Sequence, residues 1–295
     1  MGWVALLYGL RWARIMSVDD VSQDHIEQQG YAEFCQFLTT VCGIVLGDNK
    51  QYLVNSRLDS LMAEYGIASL SELVTHLDQR PGSDIYIAVV DAMTTNETSW
   101  FRDGYPYDFL YEELFPRAAD ERHSLRIWSA ASSSGQEPYS ISIMVEEFLS
   151  KQRNALLPVN IVATDISQSV LNSAKAGVFH QSLLDRGMSA ARIADYFEEQ
   201  ECAWKIKDEI KQRITFREFN LLDSFSVLGK FDIIFCRNVL IYFSSETKKD
   251  ILTRIAGALN PQGYLVLGGS ESIANYSDSF HVIRLKNGLV YQLKE

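Results

Sequence analysis

Phe231-Asp232-Ile233-Ile234-Phe235-Cys236-Arg237-Asn238-Val239-Leu240-Ile241-Tyr242-Phe243 is the stretch that decides the fold. A strand buried on both faces of a parallel sheet reads as a near-continuous apolar run, and Phe231 to Cys236 reads that way. The run then gives way to Arg237, Asn238 and Tyr242, at the carboxyl end of the strand, where open α/β sheets bind ligands. Working outward, similar short apolar runs predict strands at Leu125 to Ala131, Val159 to Ile166, Ile214 to Phe219 and Gly263 to Leu267. Helical spacing fits between them at Glu137 to Leu149, Gln168 to Ala176 and Glu246 to Leu259. Such alternation predicts an α/β domain with a parallel sheet. The chain ends differently: Phe280 to Leu285 and Leu289 to Leu293 flank Asn287-Gly288, a hairpin turn signal.

Ahead of this domain, from about residue 18 to 93, apolar residues recur at helical spacing: Phe34, Phe37, Leu38 and Val41, then Leu58, Leu61, Met62 and Tyr65. Ser71 and Ser83 are expected to cap the helices containing Leu73 to Leu77 and Ile85 to Met93. An all-helical N-terminal domain over 16–93 follows, then a linker over 94–120 and the α/β domain over 121–295. Residues 1–15 read as an extension from an upstream start. Their apolar stretch Trp3 to Leu10 precedes Arg11 and Arg14, the reverse of a secretory signal, and it is too short to span a bilayer.

The 295 residues carry 27 basic and 38 acidic side chains, a net charge of −11, which argues against nucleic acid as the main partner. Cys35, Cys42, Cys202 and Cys236 form no CxxC pair and the five histidines no HExxH-type cluster, so no metal is expected.

Strand one runs into Ser129-Ala130-Ala131-Ser132-Ser133-Ser134-Gly135-Gln136-Glu137-Pro138, a turn of small residues that lets a ligand approach the backbone. It lacks GxGxxG and the P-loop Gly-Lys-Ser/Thr, which weakens the dinucleotide and triphosphate readings. Strand two ends in Asp165, which is placed either to cap the following helix or to accept hydrogen bonds from ribose hydroxyls. Thr94-Thr95-Asn96-Glu97-Thr98-Ser99-Trp100-Phe101-Arg102 lies where the two domains meet.

Together these segments resemble the CheR family of chemotaxis receptor methyltransferases. That family is marked by TTNxTxFFR, WSAxxSxGEEPYS, an ATDIS-like strand end, FDxIFCRNVLIYF and GGxLxLGxSES. Here the marks stand, in order, at Thr94 to Arg102, Trp128 to Ser140, Ala163 to Ser167, Phe231 to Phe243 and Gly263 to Ser272. The resemblance spans roughly residues 20 to 290. It implies a Rossmann-like class I methyltransferase sheet with a terminal antiparallel hairpin, an all-α N-terminal domain and a small inserted β-subdomain at about 196–213. It also implies a cytoplasmic, monomeric protein-glutamate O-methyltransferase. The cofactor would be S-adenosylmethionine, the product S-adenosylhomocysteine, and the partner the helical cytoplasmic domain of methyl-accepting chemotaxis receptors, without membrane insertion.

Residue by residue, the resemblance implies a cofactor pocket of Asn96, Thr98, Arg102, Glu137, Asp165, Asn220, Leu221, Arg237 and Asn238, with Arg102 and Tyr242 at the reacting methyl. Either Arg102 or Arg237 would neutralise the cofactor carboxylate. Lys50-Gln51-Tyr52-Leu53-Val54-Asn55-Ser56-Arg57-Leu58 is similar to the family's KxYLVxSRL helix, which makes Lys50 and Arg57 candidates for receptor docking. Only Lys50, Arg57 and Arg80 are basic between residues 16 and 95, against twelve acidic residues, so docking by a broad basic surface is not expected. Gln136 and Gly269 depart from the family pattern, at the first glutamate of GEEPYS and at the histidine of GHSES. Competing readings are a non-catalytic regulator that binds the cofactor or its product, an NAD-dependent oxidoreductase, and the same methyl transfer on a receptor outside motility.

Overall fold

The structure, a computed structural model, describes residues 18–152 and 157–295. The expected extension over residues 1–15 lies outside the described residues. Helices α1 (Val18–Cys42), α2 (Gln51–Glu64), α3 (Leu70–Gln79) and α4 (Asp84–Met93) form the N-terminal bundle. Its core is the expected apolar stripe: Phe34, Leu38, Leu58, Leu73, Leu77 and Val89 are fully buried. Each such side chain contributes about 1.5–3 kcal/mol through removal from water. Tyr65 is an exception, exposed just past the end of α2. The cap of α3 is Ser69 rather than Ser71: the Glu72 N–H donates to Ser69 Oγ while Glu72 Oε2 accepts from the Ala68 N–H. Ser83 does precede α4, but its hydroxyl makes no cap bond.

The expected linker over 94–120 is extended only in its first part. Residues 105–120 are helical: α5 (Tyr105–Phe109) passes through one π turn at Leu110–Leu114 into α6 (Phe115–Asp120). Pro106 sits at the helix start, where a missing N–H costs nothing, and Pro116 falls just after the π turn. Tyr107, Leu110, Leu114 and Phe115 bury this segment against the sheet and α7 (Gln136–Lys151).

The sheet itself combines β1 (Leu125–Ala130), β2 (Val159–Asp165), β6 (Ile214–Glu218), β7 (Phe231–Cys236), β8 (Leu259–Val266), β9 (Phe280–Arg284) and β10 (Leu289–Leu293), in the order β6-β2-β1-β7-β8-β10-β9. The first five in that order run parallel, while β10 pairs antiparallel with β8 and with β9. Strand β8 begins at Leu259 rather than Gly263, because Leu259 pairs with Phe231 before a shift in register. Side chains alternate between faces. Trp128, Ile234 and Leu265 pack under α12 (Ser245–Ala258), and their neighbours Ile127, Ile233 and Val266 pack under α7.

Helix α8 (Gln168–Ala176) ends at Gly177 and leads into a second sheet, β3 (Val178–Phe179), β4 (Phe197–Gln200) and β5 (Ala203–Ile206), in the antiparallel order β3-β5-β4. The short helices α9 (Gln181–Leu184), α10 (Ala190–Tyr196) and α11 (Asp208–Lys211) surround it. The inserted sheet therefore draws its first strand from Val178, ahead of the expected 196–213; two residues after a helix carry no period that would announce a strand.

Candidate functional site

The carboxyl ends of β1, β2 and β7 open onto a cleft whose far wall comes from the helical bundle, through Ile44 to Leu46, Lys50, Leu53 and Arg57. Its atom-free space, open mouth included, is about 1330 Å³. All twelve candidate residues border it: Asn96, Thr98, Arg102, Glu137, Asp165, Asn220, Leu221, Arg237, Asn238 and Tyr242, with Lys50 and Arg57 on the bundle side.

Eight non-glycine residues take positive φ among the described residues, and five of them, Phe101, Asp103, Ala131, Ser133 and Asn238, lie in segments that form this cleft. Left-handed backbone costs a side-chain-bearing residue roughly 1–2 kcal/mol, and such strain collects at functional sites. After β1, the turn folds so that the Ser133 N–H donates to Asp165 Oδ2 at 2.8 Å, while the Ser167 N–H donates to Asp165 Oδ1 at 3.0 Å. Asp165 does not cap the following helix, whose cap is Ser167, its hydroxyl accepting from the Val170 N–H; it fixes the loop instead and keeps about two of its roughly four lone pairs unused among the described residues.

Burial pushes the Asp165 carboxyl above the usual carboxylate range, against the pull of the Ser167, Ser133 and Ile166 backbone N–H groups. Two pH effects of opposite sign follow. Binding of S-adenosylhomocysteine, which needs the ionised acceptor, is expected to weaken on acidification through that raised value. Stability is expected to rise over the same window, because the folded chain holds the proton more tightly than the unfolded one. Asp165→Ala is expected to weaken that binding about 10- to 100-fold by calorimetry, the scale of losing charge-assisted hydrogen bonds; unchanged binding would refute the ribose role.

Arg237 is not a free cation. Its side chain is 2% exposed, and it donates to Glu137 Oε2 at 2.9 Å, Asp103 Oδ2 at 2.7 Å and the Arg102 carbonyl at 2.8 Å. Burial acts to lower its pKa, but the Glu137 carboxylate, Tyr107 and Asp103 outweigh that and hold the guanidinium charged. Glu137 also accepts from the Ser129 hydroxyl at 2.7 Å, which leaves one lone pair on each of its oxygens for an ammonium group. Of the two arginines proposed for the cofactor carboxylate, then, Arg237 is spent mainly on bracing the site.

Arg102 is the opposite case. Its guanidinium makes one long contact, to the Glu97 carbonyl at 3.4 Å, although its backbone is tightly held. The Phe101 N–H donates to Ser140 Oγ, and Asp103 and Gly104 follow in left-handed conformation. The ammonium of Lys50, exposed at the start of α2, and the Tyr242 hydroxyl have no hydrogen-bond partners among the described residues. Arg57 instead donates to Met93 and Thr94 carbonyls. Asn220 spends both ends of its carboxamide, donating to the Val41 carbonyl at 2.7 Å and accepting from the Leu222 N–H, and so ties the bundle to the sheet.

Three supporting residues went unassigned in the sequence. Glu271 accepts from the Asn238, Gly268 and Ile241 N–H groups and holds the left-handed turn after β7. Its signal was the SES of the last motif. Asp103 and Ser129 complete the Arg237–Glu137 cluster, and neither carries a pattern that distinguishes it from a loop aspartate or a small strand-end residue.

The wall of the cleft also contains two buried polar atoms without partners among the described residues, Ser132 Oγ and Arg237 Nε. Unfilled groups of this kind, beside an acidic strand end for a diol and a carboxylate for an ammonium, fit a ligand with the donors and acceptors of S-adenosylmethionine.

Comparison with known proteins agrees. Residues 96–289 match the family described as CheR methyltransferase, SAM binding domain, and residues 29–94 match CheR methyltransferase, all-alpha domain. The chain is 48% identical to chemotaxis protein methyltransferase 1 of Vibrio cholerae, over 91% of this chain and 98% of that one. It is 50% identical to chemotaxis protein methyltransferase 1 of Pseudomonas aeruginosa, over 88% and 96% respectively. It is 49% identical to the chemotaxis protein methyltransferase of Vibrio parahaemolyticus, over 91% and 98%.

Proposed function

The chain belongs to the CheR methyltransferase family and is an S-adenosylmethionine-dependent methyltransferase of chemotaxis, and from that premise we propose that its acceptors are glutamate side chains on the helical cytoplasmic domain of methyl-accepting chemotaxis receptors. The observation that carries this reading is the cleft's division of labour. Asp165 and Glu137 offer acceptors, Arg102 offers a cation with one long contact, and among the described residues no group is arranged to remove a proton from a nucleophile.

None is needed for a carboxylate. A glutamate side chain has an ordinary pKa of about 4.3 and arrives ionised at neutral pH. When bound, S-adenosylmethionine supplies a methyl group on a sulfonium, which is electrophilic. The residues of this chain then have three tasks. Asp165 holds the ribose hydroxyls and Glu137 the amino group, which fixes the donor. Arg102 orients the incoming carboxylate, and Tyr242, which also lines the cleft, shields the reacting atoms from water with its ring. Two opposite charges disappear on reaction, so replacing their hydration by a fixed, largely enclosed cleft favours the transition state.

The protein is proposed to act as a cytoplasmic monomer, meeting the receptor where its helical domain is exposed; no described helix is long and apolar enough to cross a membrane. Lys50 is the docking candidate, exposed and without a side-chain partner among the described residues. Incubation with labelled S-adenosylmethionine and a receptor cytoplasmic domain is expected to yield label that is released by mild base, as a methyl ester is. Label stable to base would exclude a methyl ester and overturn the glutamate assignment.

A further inference from the structure

Arg57 lies on α2, the helix that the resemblance turns toward the receptor, yet its guanidinium is half-buried and committed inward. One terminal nitrogen donates to the Met93 carbonyl at 2.9 Å and the Thr94 carbonyl at 3.3 Å, and the other donates to Thr95 Oγ1 at 3.2 Å. These acceptors are the end of α4 and the first residues of the strap Thr94–Asp103, which crosses the cleft. The last carbonyls of a helix have no partner within it, and a cation there also complements the helix dipole. The fork of Arg57 does both while reaching onto the strap.

The strap leads directly to the cofactor. Asn96 Nδ2 donates to Thr94 Oγ1 at 3.1 Å, and the Asn96 carbonyl accepts from Ser133 Oγ at 2.8 Å, on the same loop that Asp165 holds. Farther along, Arg186 pairs with Glu97, and its carbonyl accepts from the Trp100 N–H. The methyltransferase domain thus grips the strap from Asn96 onward, and α2 grips its beginning.

We propose that Arg57 is a positioning residue of the cofactor site, which sets Asn96 and Thr98 against the bound nucleoside, and is not a charge presented to the receptor. The proposal rests on the cleft being the S-adenosylmethionine site. A planar five-donor fork bridging two carbonyls and a hydroxyl has no substitute in a lysine ammonium, which keeps only the charge. Arg57→Lys therefore separates the two roles.

The test is calorimetric titration of S-adenosylhomocysteine into the whole protein and into R57A and R57K, with no receptor present, at a temperature where thermal unfolding shows each to be folded. Both variants are expected to bind about tenfold more weakly, the order expected from loss of charge-assisted hydrogen bonds. At saturating cofactor, R57K is expected to keep the KM for the receptor domain. R57K keeps length and charge, so it serves where R57A does not fold. Affinity within about twofold of the unaltered protein in R57K overturns the proposal, and a receptor KM that rises in R57A alone would then mark Arg57 as a docking charge. Failure of the unaltered protein to bind S-adenosylhomocysteine would strike at the reading of the cleft itself.

Discussion

Arg102→Ala is expected to lower kcat for receptor methylation by about 10²–10³-fold while changing S-adenosylhomocysteine affinity by less than about threefold, the pattern of an interaction made only as the reaction proceeds. The argument is the contrast within one residue. Its backbone is pinned by the Arg237 guanidinium on its carbonyl and by left-handed neighbours at 101 and 103, but its side chain has a single 3.4 Å contact. A pinned base and a loose tip suit a group that arrives during turnover. A guanidinium offers five donors in a fork that matches a carboxylate in two places, so Arg102→Lys should recover only part of the rate. Steady-state kinetics with a receptor domain, set beside calorimetry, decide the matter: a loss confined to affinity would move Arg102 from the acceptor to the cofactor.

The second large effect falls on stability. Arg237→Ala is expected to cost about 3–5 kcal/mol, measured as a lowered urea midpoint at unchanged slope. The side chain removed is 2% exposed and neutralises Glu137, whose side chain is 11% exposed, and Asp103 at 35%. Without it a carboxylate is left in a poorly hydrated pocket, which is the expensive half of breaking a buried pair. R237A combined with E137A should cost less than the sum of the two single changes, since the stranded charge leaves with its partner. A single-mutant loss below about 1 kcal/mol would mean the cluster is solvated and Arg237 is available to the cofactor after all.

Read from the chain alone, the central sheet came out almost whole. Phe231–Cys236 and Gln168–Ala176 fall where their patterns put them, and Asn287-Gly288 does turn a hairpin. Burial on both faces produces an unbroken apolar run, which is hard to mistake when turn residues bound it. Weaker readings failed for identifiable reasons. Ser71 and Ser69 differ as caps only in which hydroxyl meets an N–H three residues on. Strand β3 has two residues. The helix after residue 105 contains two prolines and a π turn, which disturb the period of 3.6.

For the site, residue types and positions were legible but commitments were not. Arg102 and Arg237 stand alike in the motifs as cations beside a cofactor, and only three-dimensional packing shows one spent on Glu137 and Asp103 and the other held by a single long contact among the described residues. Arg57 and Lys50 likewise shared one helix and one expectation, until the end of α4 supplied acceptors for the former.

The Asn220 carboxamide on the Val41 carbonyl, together with the Val45 N–H on the Tyr242 carbonyl, bears on how such proteins can diversify. A bundle that closes one side of the catalytic chamber is no detachable address label. Grafting a foreign bundle to redirect the enzyme would import a new chamber lining, with its own errors in donor placement. Retargeting by evolution or design is therefore confined to a narrower currency: outward substitutions at positions such as Tyr52, which leave the shared seam intact.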